Sequence, residues 1–177
     1  MPKTILKIWN ALTTLLVAAA VLLAVLLAGV RVVGLTPFAV LSGSMEPAYH
    51  VGSLIYVQKT DPANIQVGDP ITFVLNEELQ VATHRVIKID AQNQYFYTKG
   101  DANNAPDAMP VHFQNLLGKP VFTIPQLGYA SSFLNTRSGT ILAITAAAVI
   151  LILVFVPDLL RAADQADKKA NSREQRP

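Results

Sequence analysis

Two unbroken apolar stretches organise the chain. Every residue between Lys7 and Arg31 is uncharged, a run of 23, and so is every residue between Arg137 and Asp158, a run of 20. Wound into α-helix at about 1.5 Å per residue, they are about 34 and 30 Å long, enough to cross a hydrocarbon core of about 30 Å. The pattern therefore predicts a head with a first transmembrane helix over residues 1–31, a second over 137–157, and a tail over 158–177. A cleaved secretory leader is the alternative for the first run, with Lys3 and Lys7 as its basic region and Ala18–Ala20 near a cleavage point. The run is longer than the apolar core of about 7–15 residues typical of such leaders, which favours an uncleaved helix. A buried core helix is the alternative for the second run, and its length and flanking charges weigh against that.

Residues 32–136 read differently. They hold eight of the eleven prolines and seven of the nine glycines, placed between short apolar runs. Such punctuation disfavours helix and predicts a β-rich domain. Strands are expected at Ser53–Lys59, Ile71–Leu75, Gln80–Asp90, Gln94–Lys99 and Lys119–Ile124, several of them rich in Val, Ile, Thr, Tyr or Phe. Turns are expected at Asp61-Pro62, Gly68-Asp69 and Asp90–Asn93. The apolar run Leu35–Leu41, interrupted by Thr36 and Pro37, fits either a segment grazing lipid or the first strand or linker of the domain.

Composition sharpens this picture. Apolar residues make up 51% of the chain and charged residues 15%, which excludes a disordered polymer, while the two long uncharged runs argue against a wholly cytosolic protein. The net charge of +2, with no clustering of Lys and Arg among aromatics, gives no sign of nucleic-acid binding. The absence of cysteine excludes disulfides, a thiolate metal site and a cysteine nucleophile. Arg161, Lys168, Lys169, Arg173 and Arg176 in the tail, with Lys3 and Lys7 in the head, place both ends on the cytoplasmic side and the β-rich domain on the far face. The residues after Leu159 read as a short amphipathic extension that frays.

Candidate chemistry is confined to a few positions. There is no glycine-rich phosphate loop and no His-Glu-x-x-His helix, and His50, His84 and His112 are not at metal-ligand spacing. The segment Val40-Leu41-Ser42-Gly43-Ser44-Met45-Glu46-Pro47 suits a tight exposed turn presenting a serine, or simply a turn after a helix. By itself His84 fits a packed or solvated histidine as well as a base, and the alternation around it does not fix its face.

Four segments in order then carry a resemblance. Ser42-Gly43-Ser44-Met45-Glu46-Pro47 resembles the serine box of type I signal peptidases, membrane proteases that remove signal peptides from secreted proteins. Gly68-Asp69-Pro70-Ile71-Thr72-Phe73 is similar to the family's entry to a core strand, with Pro70 where a hydrophobic residue is common. Thr83-His84-Arg85-Val86 is similar to the histidine box of the endoplasmic-reticulum and archaeal type, where most bacterial enzymes have lysine. Thr98-Lys99-Gly100-Asp101-Ala102-Asn103-Asn104, with Asp107 beyond, is similar to the acidic box.

The resemblance implies a mainly β, signal-peptidase-like catalytic domain outside the cytoplasm, flanked by two transmembrane helices. It implies Ser44 as nucleophile, His84 as general base, Asp107 as the group orienting the histidine, and Asp101 in support, with the two aspartates interchangeable on spacing alone. The Ser44 amide and the Ser42 hydroxyl are the implied oxyanion donors. Both aspartates could instead merely brace the 100–107 loop. A Ser-Lys mechanism would need Lys59 or Lys99, neither of which lies in the base box, and His50 and His112 lie outside every box. No cofactor or metal is implied. The implied partners are signal peptides of preproteins, the lipid bilayer, and the secretion translocon or other subunits. Two alternatives belong to other classes: a non-catalytic, membrane-anchored β-domain that binds partners, and a pore component, which the absence of ionisable groups within the apolar runs disfavours.

Overall fold

A computed structural model of the chain describes residues 3–75 and 80–174. In chain order the elements are α1 (Lys3–Leu27), β1 (Leu35–Ala39), β2 (Leu54–Gln58), β3 (Pro70–Val74), β4 (Val81–Asp90), β5 (Tyr95–Lys99), β6 (Val111–His112), β7 (Leu116–Ile124), α2 (Leu127–Leu134) and α3 (Arg137–Glu174). Three short 3-10 turns lie at Gly29–Val33, Pro62–Asn64 and Phe113–Asn115. The chain divides into two compact units, one built on the two long helices and the other spanning Val25–Asn135.

The helical unit contains the second apolar run and the first as far as Ala24. Thr4–Leu27 and Arg137–Pro157 are long and apolar enough to cross a membrane, with mean hydropathies of 2.4 and 2.8. The indole Nε1–H of Trp9 donates to the Leu153 carbonyl at 3.1 Å. α3 passes through Pro157 and stays helical to Glu174, where the sequence pattern leads one to expect fraying.

The β unit is a seven-stranded sheet in the order β1-β2-β7-β3-β4-β5-β6, with every paired neighbour antiparallel. β7 is the joint of this sheet: it pairs with β2 on one side and with β3 on the other. The five expected strands are all present, to within a few residues at their ends. β1 forms from the Leu35–Leu41 run, its Pro37 tolerated because β1 lies at the sheet edge. β6 and α2 were not expected from the pattern, being too short to show a period.

Leu54, Ile55, Tyr56 and Val57 of β2 are all buried, which explains their continuous apolar run. The fully buried Tyr56 stacks on Phe122 at 4.2 Å, and its hydroxyl donates to the Leu26 carbonyl at 2.9 Å, satisfying an acceptor left over at the end of α1. On the other half of the sheet Ile65, Ile71, Phe73, Val86, Phe96 and Val111 form a core cluster. Truncating a residue such as Phe73 to Ala there would cost about 3–5 kcal/mol. The alternation in β4 breaks because its pairing with β5 slips between Val86 and Lys88. That bulge re-aims the strand beyond it and obscures the period of two around His84.

Candidate active site

The β1–β2 hairpin presents Ser44. Val40 extends the hairpin beyond β1, donating to the Ser53 carbonyl and accepting from Gly52 N–H, both at 2.9 Å. The loop 41–51 is thereby closed at its base. Within it Glu46 N–H donates to the Gly43 carbonyl at 3.0 Å and Tyr49 N–H to the Met45 carbonyl at 2.9 Å. Met45 is buried and anchors the turn, while Glu46 accepts from Val51 N–H and pairs with His50. The base of the loop also rests on α2, since Gly52 has φ +81° and the Tyr129 ring lies where a Cβ would stand.

His84 comes from β4, opposite Ile71 of β3 and on the face shared by Ala82 and Val86. The Phe73 ring meets its imidazole edge-on, with centroids 6.3 Å apart. Its Nε2 lies 3.2 Å from Ser44 Oγ and its Nδ1 lies 2.6 Å from Asp107 Oδ2. A carboxylate accepts, so Nδ1–H donates to it, and in that tautomer Nε2 is the nitrogen that can accept from the serine hydroxyl. The imidazole and carboxylate are mostly buried, with side-chain exposures of 15% and 21%. A hydroxyl, an imidazole and a carboxylate in this sequence can turn a weak nucleophile into a competent one.

The two aspartates have separate partners. Asp107 meets His84, and its Oδ2 also accepts from the Thr98 hydroxyl at 2.7 Å. Asp101 instead takes a forked pair from Arg85, Nε to Oδ1 at 2.7 Å and Nη2 to Oδ2 at 2.6 Å, while Arg85 Nη1 donates to the Gly68 carbonyl. That bond to Asp101 raises the Arg85 pKa above its ordinary value. Ala102, next to Asp101, donates its N–H to the Ser44 carbonyl at 2.9 Å. Gly100 is required by the same approach, because a Cβ there would stand 2.6 Å from that carbonyl oxygen.

Ser42 Oγ lies 3.4 Å from Ser44 Oγ, and among the described residues no acceptor takes the Ser44 N–H. His50 and His112 lie elsewhere: His50 is exposed beside Glu46, and His112 Nδ1 accepts from Gln114 N–H. Lys99 ends β5 opposite Arg85, and Lys59 follows β2; neither has a hydrogen bond to Ser44 among the described residues. No group of three metal-ligating side chains occurs among the described residues.

Thr98 and Arg85 are the site neighbours that sequence reasoning did not single out. The only available signal was position: a hydroxyl at an inward-facing place in β5, and a guanidinium next to the histidine. Around Ser44 and His84 opens a cleft of about 770 Å³, walled by Phe38–Ser42 on one side, Val81–Thr83 on the other, and by Ser132 of α2 with Asn135 just after it.

Comparisons with known proteins place the chain in a family. A family profile described as "Signal peptidase, peptidase S26" matches residues 12–105. The chain is 47% identical over 88 residues to signal peptidase I W of Bacillus subtilis (strain 168), covering 48% of this chain and 46% of that protein. It is 33% identical over 111 residues to the putative signal peptidase complex catalytic subunit SEC11B of Homo sapiens, covering 56% and 66%. It is 30% identical over 117 residues to the signal peptidase complex catalytic subunit SEC11 of Zygosaccharomyces rouxii, covering 59% and 69%. The aligned region thus spans about half the length of the Bacillus relative and about two thirds of the other two. With a mainly β sheet between two apolar helices and the family match covering its first half, the chain belongs to the signal peptidase family, peptidase S26.

Proposed function

We propose that this protein is a membrane-bound serine endopeptidase that removes signal peptides from preproteins, with Ser44 as nucleophile, His84 as general base and Asp107 orienting the histidine. The observation that carries this reading is the continuous path from Ser44 Oγ through His84 to Asp107 Oδ2, at 3.2 and 2.6 Å. Ser44 Oγ attacks the scissile carbonyl carbon as His84 Nε2 takes its proton, and Asp107 stabilises the imidazolium through Nδ1–H. The oxyanion is held by the Ser44 amide and the Ser42 hydroxyl, whose oxygen lies 3.4 Å from Ser44 Oγ. Collapse breaks the peptide bond, and His84 returns its proton to the leaving amine. Water then attacks the acyl carbon as His84 takes its proton; the ester bond to Ser44 breaks, and His84 returns that proton to Oγ.

The cleft supports a peptide as substrate. β1 is an edge strand, and β4 pairs with β5 only from Arg85 onward, so backbone at Val81–Thr83 has β3 on one side and the cleft on the other. An extended chain laid between these edges gains main-chain hydrogen bonds and turns alternate side chains toward Ala82 and Met45. Two apolar helices and the Lys/Arg excess of the terminal segments support an arrangement in which both ends face the cytoplasm and the β unit works on the extracytoplasmic face. There the substrate arrives already held in the same bilayer, which lowers the entropic cost of encounter. The complex-subunit names of two relatives support further subunits as partners.

The test is cleavage of a tagged preprotein with a small-x-small site by the detergent-solubilised chain. Ser44→Ala and His84→Ala should abolish cleavage, and Asp107→Asn should reduce kcat by several orders of magnitude. Full activity in His84→Ala would remove the base assignment and turn attention to Lys59 and Lys99. No cleavage by folded wild type, alone or with membrane extract, would leave a partner-binding β-domain.

A further inference from the structure

β5 alternates half-buried and buried residues, with Phe96 and Thr98 turned inward and Phe96 in the core cluster. The pattern calls for an apolar residue at 98, where valine would have the same shape and similar strand preference. The chain instead buries a hydroxyl there, 1% exposed and paired in register with Val86. A buried hydroxyl is tolerated only with a partner, and among the described residues this one has a single side-chain partner, Asp107 Oδ2 at 2.7 Å. That same oxygen receives the His84 Nδ1–H. A second bond joins the same two residues through the backbone, Asp107 N–H to the Thr98 carbonyl at 2.9 Å.

We infer that Thr98 is a positioning residue for the reaction, its hydroxyl fixing which carboxylate oxygen of Asp107 faces the His84 imidazole. The inference rests on the Ser44–His84–Asp107 reading above. Asp107 sits outside any strand, after the turns of the 100–107 loop, so the sheet alone does not set its side-chain torsions. The ionised carboxylate has no proton to give, so the Thr98 hydroxyl must donate to it. Its O–H direction therefore holds Oδ2 against the imidazole in the resting state. The hold persists while the imidazole gains its proton, when any rotation of the carboxylate would leave the cation unpaired. Thr98 touches neither substrate nor reacting atoms; it acts through Asp107.

Two substitutions separate this role from simple packing. Thr98→Val keeps the buried shape and removes the donor, whereas Thr98→Ser keeps the donor and removes a methyl group. If Thr98 only fills space, valine is the harmless change and serine the harmful one. The positioning role predicts the reverse. Loss of an orienting carboxylate costs about ten-thousand-fold in kcat in serine proteases, so loss of one of its supports should cost about tenfold to a hundredfold, with KM little changed. Full-length wild type, Thr98→Val, Thr98→Ser and Asp107→Asn would be assayed in detergent on the tagged preprotein, with thermal unfolding of each. The expected result is a kcat loss in Thr98→Val at unchanged unfolding temperature, with most activity retained in Thr98→Ser. Full activity in Thr98→Val, or a loss in Thr98→Ser as large as in Thr98→Val, would overturn the inference. If Asp107→Asn is inactive while Thr98→Val is fully active, only the Thr98 role fails; if Asp107→Asn is itself fully active, the orienting role of Asp107 fails with it.

Discussion

Arg85 and Asp101 are locked together by two parallel hydrogen bonds, and each is the chain neighbour of a residue at the centre of the site. His84 precedes Arg85, and Ala102, whose amide holds the Ser44 carbonyl, follows Asp101. The fork thus ties the strand bearing the imidazole to the loop that steadies the serine. Lysine cannot reproduce a planar, bidentate fork. Arg85→Lys should lower stability by about 1–2 kcal/mol, toward the low end because the guanidinium is about one-third exposed. Cleavage should fall further than that loss of stability accounts for. Urea unfolding beside kcat/KM for the preprotein checks both parts; unchanged kcat/KM would show that the loop keeps its place without the fork.

Gly100→Ala probes the same contact from the other side. The new methyl would meet the Ser44 carbonyl oxygen at 2.6 Å and the Asn103 amide at 2.7 Å, and the carbonyl belongs to backbone that cannot swing away. The expected outcome is a kcat reduction of about tenfold or more from displacing Ser44 by a fraction of an ångström. The unfolding temperature, measured in parallel, should drop only modestly. Wild-type kcat would mean that the acidic loop, not Ser44, gives way.

Asp69 gives a pH-dependent contribution to stability. Burial pushes its pKa up, but the Lys119 hydrogen bond, the Gln66 N–H and the charges of Lys119 and Arg85 outweigh that and leave it lowered. A carboxyl group with a lowered folded-state pKa contributes its full stabilisation above its ordinary pKa of about 4 and loses it as pH falls through the folded value. Asp69→Asn should therefore be less stable than wild type by about 1 kcal/mol near neutral pH, and the two should converge in acid. Unfolding midpoints at several pH values measure this; a constant difference down to strong acid would rule out the ionised carboxylate as the cause.

Much of this arrangement is legible in the amino-acid order. The two charge-free runs mark α1 and the first part of α3, because few other structures accommodate such lengths of apolar sequence. β2 and β3 are legible because their buried residues leave dense apolar runs, Leu54–Val57 and Ile71–Val74. β6 and α2 are not, since two residues or two helical turns carry too little periodicity. His84 could not be assigned to a face because the Val86–Lys88 slip lies two residues away. Asp101 and Asp107 look alike in a loop sequence, and only the fold gives one to Arg85 and the other to His84. Thr98 escapes for a related reason: a threonine in a strand is unremarkable until its neighbour across the loop is known.

β7 has a consequence in time as well as space. Ser44 rides on the β1–β2 half of the sheet, while His84 and Asp107 ride on the half that begins with β3, and Leu116–Ile124 is the strand that pairs with both. Each half can form from nearby sequence, but their union waits for a strand made more than seventy residues after Ser44. A nascent chain that has not yet emerged past Ile124 therefore carries Ser44, His84 and Asp107 without the strand that joins the two halves of the sheet holding them. Synthesis itself withholds the assembled site until the sheet can close.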